Sequence, residues 1–159
     1  MPEIQRLRLD HAAALLTFEQ DNRAYFGVWI PDRGDDYFTH FGVRHRALLD
    51  EQDAGVCHFH VLMESGAVVG RINLVDVAGN TAELGFRIAE KSTSQGLAQY
   101  AVRQICELAV AEYGLTTLRA AATLDNAGSR AVLTRTGFAV TGETVLNGRP
   151  AVTFALALT

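Results

Sequence analysis

The chain has 159 residues, 48% hydrophobic and 20% charged, which is typical of one globular domain that we expect to span residues 1–159. Its formal net charge of −4 comes without a basic patch, which argues against a nucleic-acid partner. No apolar run reaches the roughly 18 residues that are needed to cross a bilayer.

The first half of the chain predicts one strand and two helices. Residues 4–9 alternate as a strand, and Asp10 is the expected N-cap of a helix that ends near Asp21. The segment from Asn22 to Gly34 is aromatic and irregular. A second helix is predicted from Asp35 to about Gln52. Its expected apolar side consists of Phe38, Phe41, Val43, Leu48 and Leu49.

The second half alternates strands with helices. The predicted strands are 57–62, 68–75, 82–89, 116–123, 138–142 and 151–158, with helices from 97 onward and over 127–136. Asn147-Gly148 indicates a tight hairpin between the last two strands. This order combines an antiparallel meander with strand–helix–strand crossovers. It predicts an α/β (α+β) fold with a mixed sheet of about seven strands and about four helices.

The turn from Thr93 to Ala98 lies between a predicted strand and a long amphipathic helix. A glycine at Gly96 leaves the turn unobstructed, and the first N–H groups of a helix have no partner inside it. With the helix dipole behind them, such groups suit a phosphate or pyrophosphate. The alternative is a turn that only connects the two elements. The glycine-rich fingerprints of dinucleotide and nucleoside triphosphate sites are absent.

The helix after Asn126 carries its own start and stop signals. Asn126 is a favourable N-cap with Ser129 at the third helical position, and Gly137 followed by Phe138 suits a left-handed helix end. Gly128 in the first turn costs about 1 kcal/mol relative to alanine. A small residue there is understandable if a ligand packs against that turn, although Asn126 can also be a cap and nothing more.

Three stretches of the chain together resemble the GNAT acyltransferases. They are Ala82–Ile88, the turn at Gly96, and the helix with Asn126, Ser129 and Gly137-Phe138. The segment containing Asn22-Arg23, Trp29 and Pro31 is similar to the RimJ/RimL-type ribosomal-protein N-terminal acetyltransferases within that superfamily. The resemblance covers nearly the whole chain. It implies the GNAT fold, an acetyl-CoA (CoA) site, and transfer of an acetyl group to an amine.

The resemblance also implies which residues contact the cofactor. The family's phosphate-binding turn falls on Thr93–Ala98, where Thr93 replaces the usual Arg or Gln. The main-chain amides of the turn need no particular side chain. Phe86 and Ile88 match the strand whose backbone pairs with pantetheine. The full expected cofactor-binding set is Phe86, Arg87, Ile88, Ser94, Gln95, Gly96, Leu97, Ala98, Asn126, Ser129 and Arg135.

The resemblance offers three candidates for the catalytic groups. Many members carry a tyrosine that protonates the departing thiolate, but Leu133 stands at that position here. This branch is thought to use the serine instead, which makes Ser129 the candidate. Glu83 is placed where several members have their general base, and Glu143 lies near the last hairpin, where RimL-type enzymes carry a glutamate. The alternative for Glu83 is an exposed position on an alternating strand.

Aromatic and histidine side chains offer further candidates. Tyr25 and Trp29, with Glu83, are expected to bind the acceptor, or the two aromatic residues plug the core instead. His58 and His60 have a spacing that can chelate a metal, but the sequence suggests no third ligand, so we expect a structural or surface role and no metal. Arg135 can meet CoA phosphates or be a solvated charge.

The start of the chain and its cysteines bear on the compartment. Residues 1–6 contain no apolar signal-peptide segment, and Cys57 and Cys106 lack C-x-x-C spacing. We therefore predict a cytoplasmic protein with reduced cysteines. The sequence leaves open whether it is a monomer or a homodimer. We expect it to acetylate a protein N-terminal α-amine. The alternatives are acetylation of a small amine, such as a polyamine, amino acid or antibiotic, and a non-catalytic acyl-CoA-binding module.

Overall fold

In the computed structural model, which describes residues 1–159, seven strands form one sheet in the order β1-β2-β3-β4-β5-β7-β6. The strands are β1 (Glu3–Arg6), β2 (His58–Glu64), β3 (Ala67–Ala78), β4 (Thr81–Ile88), β5 (Thr117–Thr123), β6 (Ala139–Leu146) and β7 (Arg149–Ala157). All neighbouring pairs are antiparallel except β4 and β5, which are joined by a crossover helix. The predicted mixed sheet of seven strands is confirmed.

Six α-helices accompany the sheet, and four of them have nine residues or more. They are α1 (Ala12–Asp21), α2 (Arg23–Phe26), α3 (Asp35–Thr39), α4 (Phe41–Asp53), α5 (Leu97–Ala111) and α6 (Ala127–Arg135). None of them is both long enough and apolar enough to span a membrane.

The sheet separates two hydrophobic cores because successive strand residues point to opposite faces. Ala82 and Leu84 of β4 belong to the larger core, which also contains the apolar face of α5. Phe59 and Val61 of β2 belong to the smaller core with residues of α1 and α4. Glu83, Gly85 and Arg87 of β4 alternate with the residues of the larger core. Their side of the strand therefore faces away from α5.

Three local predictions in the first half of the chain are wrong. Asp10 is not an N-cap: it lies inside a short 3-10 turn, and its carboxylate contacts Nε of Arg8 at 3.0 Å. The helix predicted from Asp35 is interrupted at His40, whose φ of −109° and ψ of 31° are not helical. Val43, expected on the apolar side, is 71% exposed.

The buried face of α4 carries polar side chains that hold the neighbouring strands. Nε2 of His45 lies 2.8 Å from the carbonyl oxygen of Arg8. The side-chain amide of Gln52 donates to the Leu7 carbonyl and accepts from the Phe59 N–H, each at 3.0 Å. Buried polar groups of this kind need partners, and here they satisfy backbone groups at the sheet edge. Phe41 is buried and Phe38, Leu48 and Leu49 pack against the smaller core as predicted, so apolar periodicity found this face but not its polar members.

Candidate active site

The parallel strands β4 and β5 separate partway along their length. They pair only over Thr81–Glu83 and Thr117–Arg119. Beyond Glu83, β4 remains paired with β3 on its other side, while β5 pairs with β7. The β5-facing edge of β4 from Leu84 to Ile88 therefore presents backbone groups that have no partner on β5. An extended ligand carrying amide groups can pair with such an edge.

The loop after β4 presents a row of free backbone donors. Ser94 and Gly96 have φ angles of +63° and +74°, and the left-handed Gly96 is the N-cap of α5. The N–H groups from Ser94 to Gln99 make no hydrogen bond within the chain. The first turn of a helix cannot use them internally, and the dipole of α5 adds partial positive charge. An anion is the natural partner of this loop.

The second helix start has the caps that the sequence predicts. Oδ1 of Asn126 accepts a hydrogen bond from the N–H of Ser129 at 3.2 Å. At the other end Gly137 has a φ of +99°, and the N–H of Phe138 donates to the Leu133 carbonyl at 3.0 Å. This pattern is a Schellman ending. Both predicted caps of α6 are confirmed.

The free edge of β4 and the starts of α5 and α6 meet at one cavity of about 590 Å³. The predicted cofactor and acceptor residues that line it are Tyr25, Trp29, Phe86, Arg87, Ile88, Ser94, Gly96, Leu97, Ala98, Asn126, Ser129 and Arg135. A Cβ at Gly128 would meet only Oδ1 of Asn126, at 3.9 Å, so no part of the chain fills the space beside that turn.

Three predicted residues do not line this cavity. Gln95 is exposed in the loop before α5. Glu83 is half-buried at the last position where β4 pairs with β5, opposite Val75 of β3. Glu143 is exposed on the outer strand β6 and pairs with Val152, which belongs to the core under α5. Of the two carboxylates, Glu83 is on the face that points away from that core.

Ser129 contributes two different groups. Its backbone N–H is held by Asn126, whereas its hydroxyl makes no hydrogen bond within the chain and borders the cavity. The hydroxyl is therefore available to a bound molecule. This separates the capping function, which belongs to the side chain of Asn126, from the chemistry that the Ser129 side chain can supply.

A charged cluster that was not predicted from the sequence lies beside the cavity. Oε1 of Glu19 lies 3.0 Å from Nη2 of Arg87 and 3.5 Å from Nη1 of Arg71. Burial lowers the pKa of Arg87 to about 10, a shift that Glu19 opposes, so the guanidinium stays charged at neutral pH. Leu15 and Glu19 are four residues apart on α1 and therefore lie on the same helix face. A carboxylate on this otherwise apolar face was the sequence signal that could have predicted the cluster.

The N-terminal half and the last hairpin are in contact beside this region. Nη1 of Arg149, at the start of β7, donates to the carbonyl oxygen of Val28 at 3.2 Å. Its other terminal nitrogen lies 3.8 Å from a carboxylate oxygen of Asp125. The aromatic segment 22–34, with Tyr25 and Trp29, is thereby connected to the loop before α6. Phe26 and Ile30 of the same segment also line the cavity.

His58 and His60 are at a different place, in an open cavity of about 800 Å³ beside the end of α5. The ring of His58 stacks on Tyr113, with centroids 3.7 Å apart and planes 4° apart. The Tyr113 oxygen accepts from Arg6 at 2.8 Å and lies 2.7 Å from Nε2 of His60. A hydroxyl has one proton and two acceptor lone pairs, so the His60 tautomer sets which of the two groups donates in this contact. Burial lowers the pKa of His60 to about 4, which keeps the ring neutral.

Comparisons with known proteins agree with this arrangement. The model of the acetyltransferase (GNAT) domain matches residues 3–139. A Bacillus subtilis (strain 168) protein named "Probable N-acetyltransferase YjcK" is 27% identical in an alignment of length 144 that covers 85% of this chain and 78% of that protein.

Solved structures share the fold. The ribosomal-protein-S5-alanine acetyltransferase from Vibrio fischeri superposes with a TM-score of 0.91 at 17% identity, covering 98% of this chain and 92% of that one. Mycobacterium smegmatis RimJ in complex with CoA-disulfide has a TM-score of 0.87 at 23% identity, covering 97% and 80%. The family match extends over most of the sheet and both helix starts at the cavity. The chain therefore belongs to the GNAT family of N-acetyltransferases.

Proposed function

We propose that the chain transfers an acetyl group from acetyl-CoA to a primary amine by direct attack in a ternary complex, and that the amine is a protein N-terminal α-amine. The observation that carries the cofactor assignment is the row of N–H groups from Ser94 to Gln99 that have no partner within the chain. Such a row at a helix start suits a pyrophosphate. The CoA-disulfide complex of the similar RimJ structure supports the same assignment.

The residues at the cavity fit acetyl-CoA along its length. The amides from Ser94 to Ala98, including that of Gln95, bind its phosphates, and Arg135 adds positive charge at the cavity wall. The free edge of β4 at Phe86, Arg87 and Ile88 offers backbone groups to the amides of pantetheine. When bound, acetyl-CoA supplies an activated acetyl thioester.

The side chains near the end of that edge hold and move protons. The Ser129 hydroxyl has no partner within the chain, and it donates to the departing sulfur. Glu83 accepts, through water, the proton that the attacking amine loses. Tyr25 and Trp29 form the wall against which the acceptor binds. Glu143 has no part in this scheme because it lies on the other face of the outer strand.

The absence of a carboxylate from the cavity wall favours an α-amine as the acceptor. An α-amine has a reference pKa of about 7.7–8.0, so roughly a tenth is neutral at pH 7. A lysine side chain, with a pKa of about 10.4, is neutral in roughly one molecule in 2,500. The proposed base, Glu83, lies outside the cavity wall. Such a site suits the amine that needs less deprotonation.

The alternatives are an acetyltransferase of small amines and a non-catalytic acyl-CoA-binding module. We would incubate the protein with acetyl-CoA and a panel of peptides, polyamines and amino acids, and follow the release of the CoA thiol. The proposal expects peptides with free N-termini to be the best acceptors and N-terminally blocked peptides to be inactive. Turnover with small amines alone would support an acetyltransferase of small amines. CoA binding without any turnover would support a non-catalytic acyl-CoA-binding module.

A further inference from the structure

The charged cluster beside the cavity is unbalanced. Arg71 and Arg87 share the single carboxylate of Glu19, and these side chains are only 5%, 18% and 2% exposed, respectively. Oε2 of Glu19 is buried without a hydrogen-bond partner. Two guanidinium groups against one carboxylate leave a surplus positive charge where solvent screens it poorly. Such a charge is costly unless a further anion approaches it.

Arg87 is the member of the cluster that borders the cavity. Nearby Arg23 is already engaged by Asp32 at 2.7 Å and by Asp35 at 2.9 Å, so those two carboxylates are committed elsewhere. No acidic side chain lines the cavity itself. The positive charge of Arg87 is therefore not balanced from the side on which a ligand binds.

On the face of β4 that points away from α5, Arg87 lies in line with the proposed base. This face carries every second residue of the strand, here Glu83, Gly85 and Arg87. Their successive Cα atoms are about 6.6 Å apart. A Cβ at Gly85 would have nothing within 4 Å, so the space above it is open. Asn73, which pairs with Gly85, has a buried Oδ1 without a partner. The strand surface at Gly85, between Glu83 and Arg87, is thus unobstructed, and the unpaired acceptor of Asn73 lies beside it.

We propose that the amine acceptor carries a carboxylate close to its reacting amine and that Arg87 binds this carboxylate. The inference rests on the proposed acetyltransferase function and specifies the acceptor. An amine above Gly85 has Glu83 on one side and Arg87 on the other, each about 6.6 Å along the strand, which is the length of two residues of an extended peptide. The carboxylate comes either from an acidic second residue of a protein N-terminus or from the acceptor's own α-carboxylate in a free amino acid.

Matched acceptors test this without any variant. We would compare kcat/KM for peptides that differ only in Glu or Gln at the second position, and separately for free glutamate against a Glu-first peptide. A charge-assisted hydrogen bond predicts that the acidic peptide is favoured by about tenfold or more over its neutral partner. If the carboxylate is the α-carboxylate of a free amino acid, the kcat/KM for free glutamate exceeds that for the Glu-first peptide. Equal rates for all matched pairs would overturn the inference while the acetyltransferase function stands. Lack of thiol release with every amine would overturn both.

Variants then assign the preference to Arg87. Arg87→Gln should reduce the acid-to-amide ratio to about one, while Arg87→Lys retains part of it. Arg46→Gln, on the exposed side of α4, is the matched control and should keep the wild-type ratio. If Arg87 serves only to neutralise Glu19, Arg87→Gln lowers the melting temperature but leaves the ratio unchanged, which contradicts the proposal. Should that variant fail to fold, the ratios of the wild type and Arg87→Lys decide.

Discussion

The side chain of Asn126 accepts a hydrogen bond from the backbone N–H of Ser129 at 3.2 Å, whereas the Ser129 hydroxyl has no partner within the chain. Two residues three positions apart thus have separate tasks at the start of α6. The amide side chain stabilises the helix, and the hydroxyl borders the cavity in which the proposed transfer takes place. Substitutions at the two positions should accordingly have different consequences.

Ser129→Ala should lower kcat by about 10²-fold, because a group that donates to the leaving sulfur acts in the transition state. The KM for acetyl-CoA should change far less. The free energy of unfolding should stay within about 0.5 kcal/mol of the wild type, since the hydroxyl takes no part in the cap. Asn126→Ala is the control and should cost about 1 kcal/mol of stability. Steady-state kinetics and urea denaturation of both variants check this, and an unchanged kcat in Ser129→Ala would remove the hydroxyl from the mechanism.

Gly96→Val should abolish CoA binding. A β-branched side chain is strained at a φ of +74°, and it disturbs the turn whose amides are proposed to bind the pyrophosphate. In the wild type, CoA at 100-fold over its Kd should add about 2.7 kcal/mol of stability. Gly66→Val is the matched control, since Gly66 has a φ of +82° in the β2–β3 turn. Both variants should lose similar stability without ligand, but only Gly66→Val should be stabilised by CoA. Equal stabilisation of the two would place the cofactor elsewhere.

Glu83→Gln should reduce kcat/KM by a modest factor near pH 7 and recover most of it as the pH rises, because an α-amine then loses its proton unaided. Glu143→Gln should behave like the wild type throughout, since Glu143 is exposed on β6. A pH–rate profile for each variant is the measurement. Loss of activity at every pH in folded Glu83→Gln would indicate a more basic acceptor. Wild-type rates at pH 6 would exclude Glu83 as the base.

Stability should fall in mildly acidic solution because of His60. Burial lowers its pKa to about 4, whereas the unfolded chain binds the proton near its ordinary pKa of about 6.5. The unfolded state therefore gains protons first, and stability that is complete above about pH 6.5 is lost as the pH falls toward 4. The loss is on the order of 3 kcal/mol.

Chemical denaturation between pH 7.5 and 4.5 tests the assignment to His60. His60→Gln should show a shallower decline than the wild type because it removes the titrating ring. Burial also lowers the pKa values of His58 and His11, so part of the decline should remain in the variant. Parallel curves for the two proteins would mean that His60 does not control acid stability.

Local signals account for what the sequence predicts well. The caps of α6 depend on Asn126 and Gly137 themselves, and the turn before α5 depends on Gly96, so the residues that form these features are adjacent in the chain. These local features also position the cavity. The number of strands and the mixed character of the sheet follow from the same alternation of strands and helices, whereas the position of β7 between β5 and β6 does not.

Features that depend on distant partners were not predictable in this way. The burial of His45 and Gln52 is understandable only when their backbone partners at Leu7, Arg8 and Phe59 are in place. Glu19 is buried because Arg71 and Arg87 approach it from the sheet, 52 and 68 residues along the chain. In each case a polar side chain occupies a core position because it has a partner there. The burial was not predictable because that partner is remote in sequence.

The central claim is that this chain acetylates an N-terminal α-amine with acetyl-CoA. The most direct measurement is to incubate the protein with acetyl-CoA and a peptide that has one free N-terminus and one internal lysine, and to locate the added acetyl group by fragment-ion mass spectrometry. The account predicts modification of the α-amine, with little at the lysine near pH 7. Acetylation of the lysine in preference to the N-terminus would contradict it. So would acetylation of small amines by a protein that leaves the peptide unmodified.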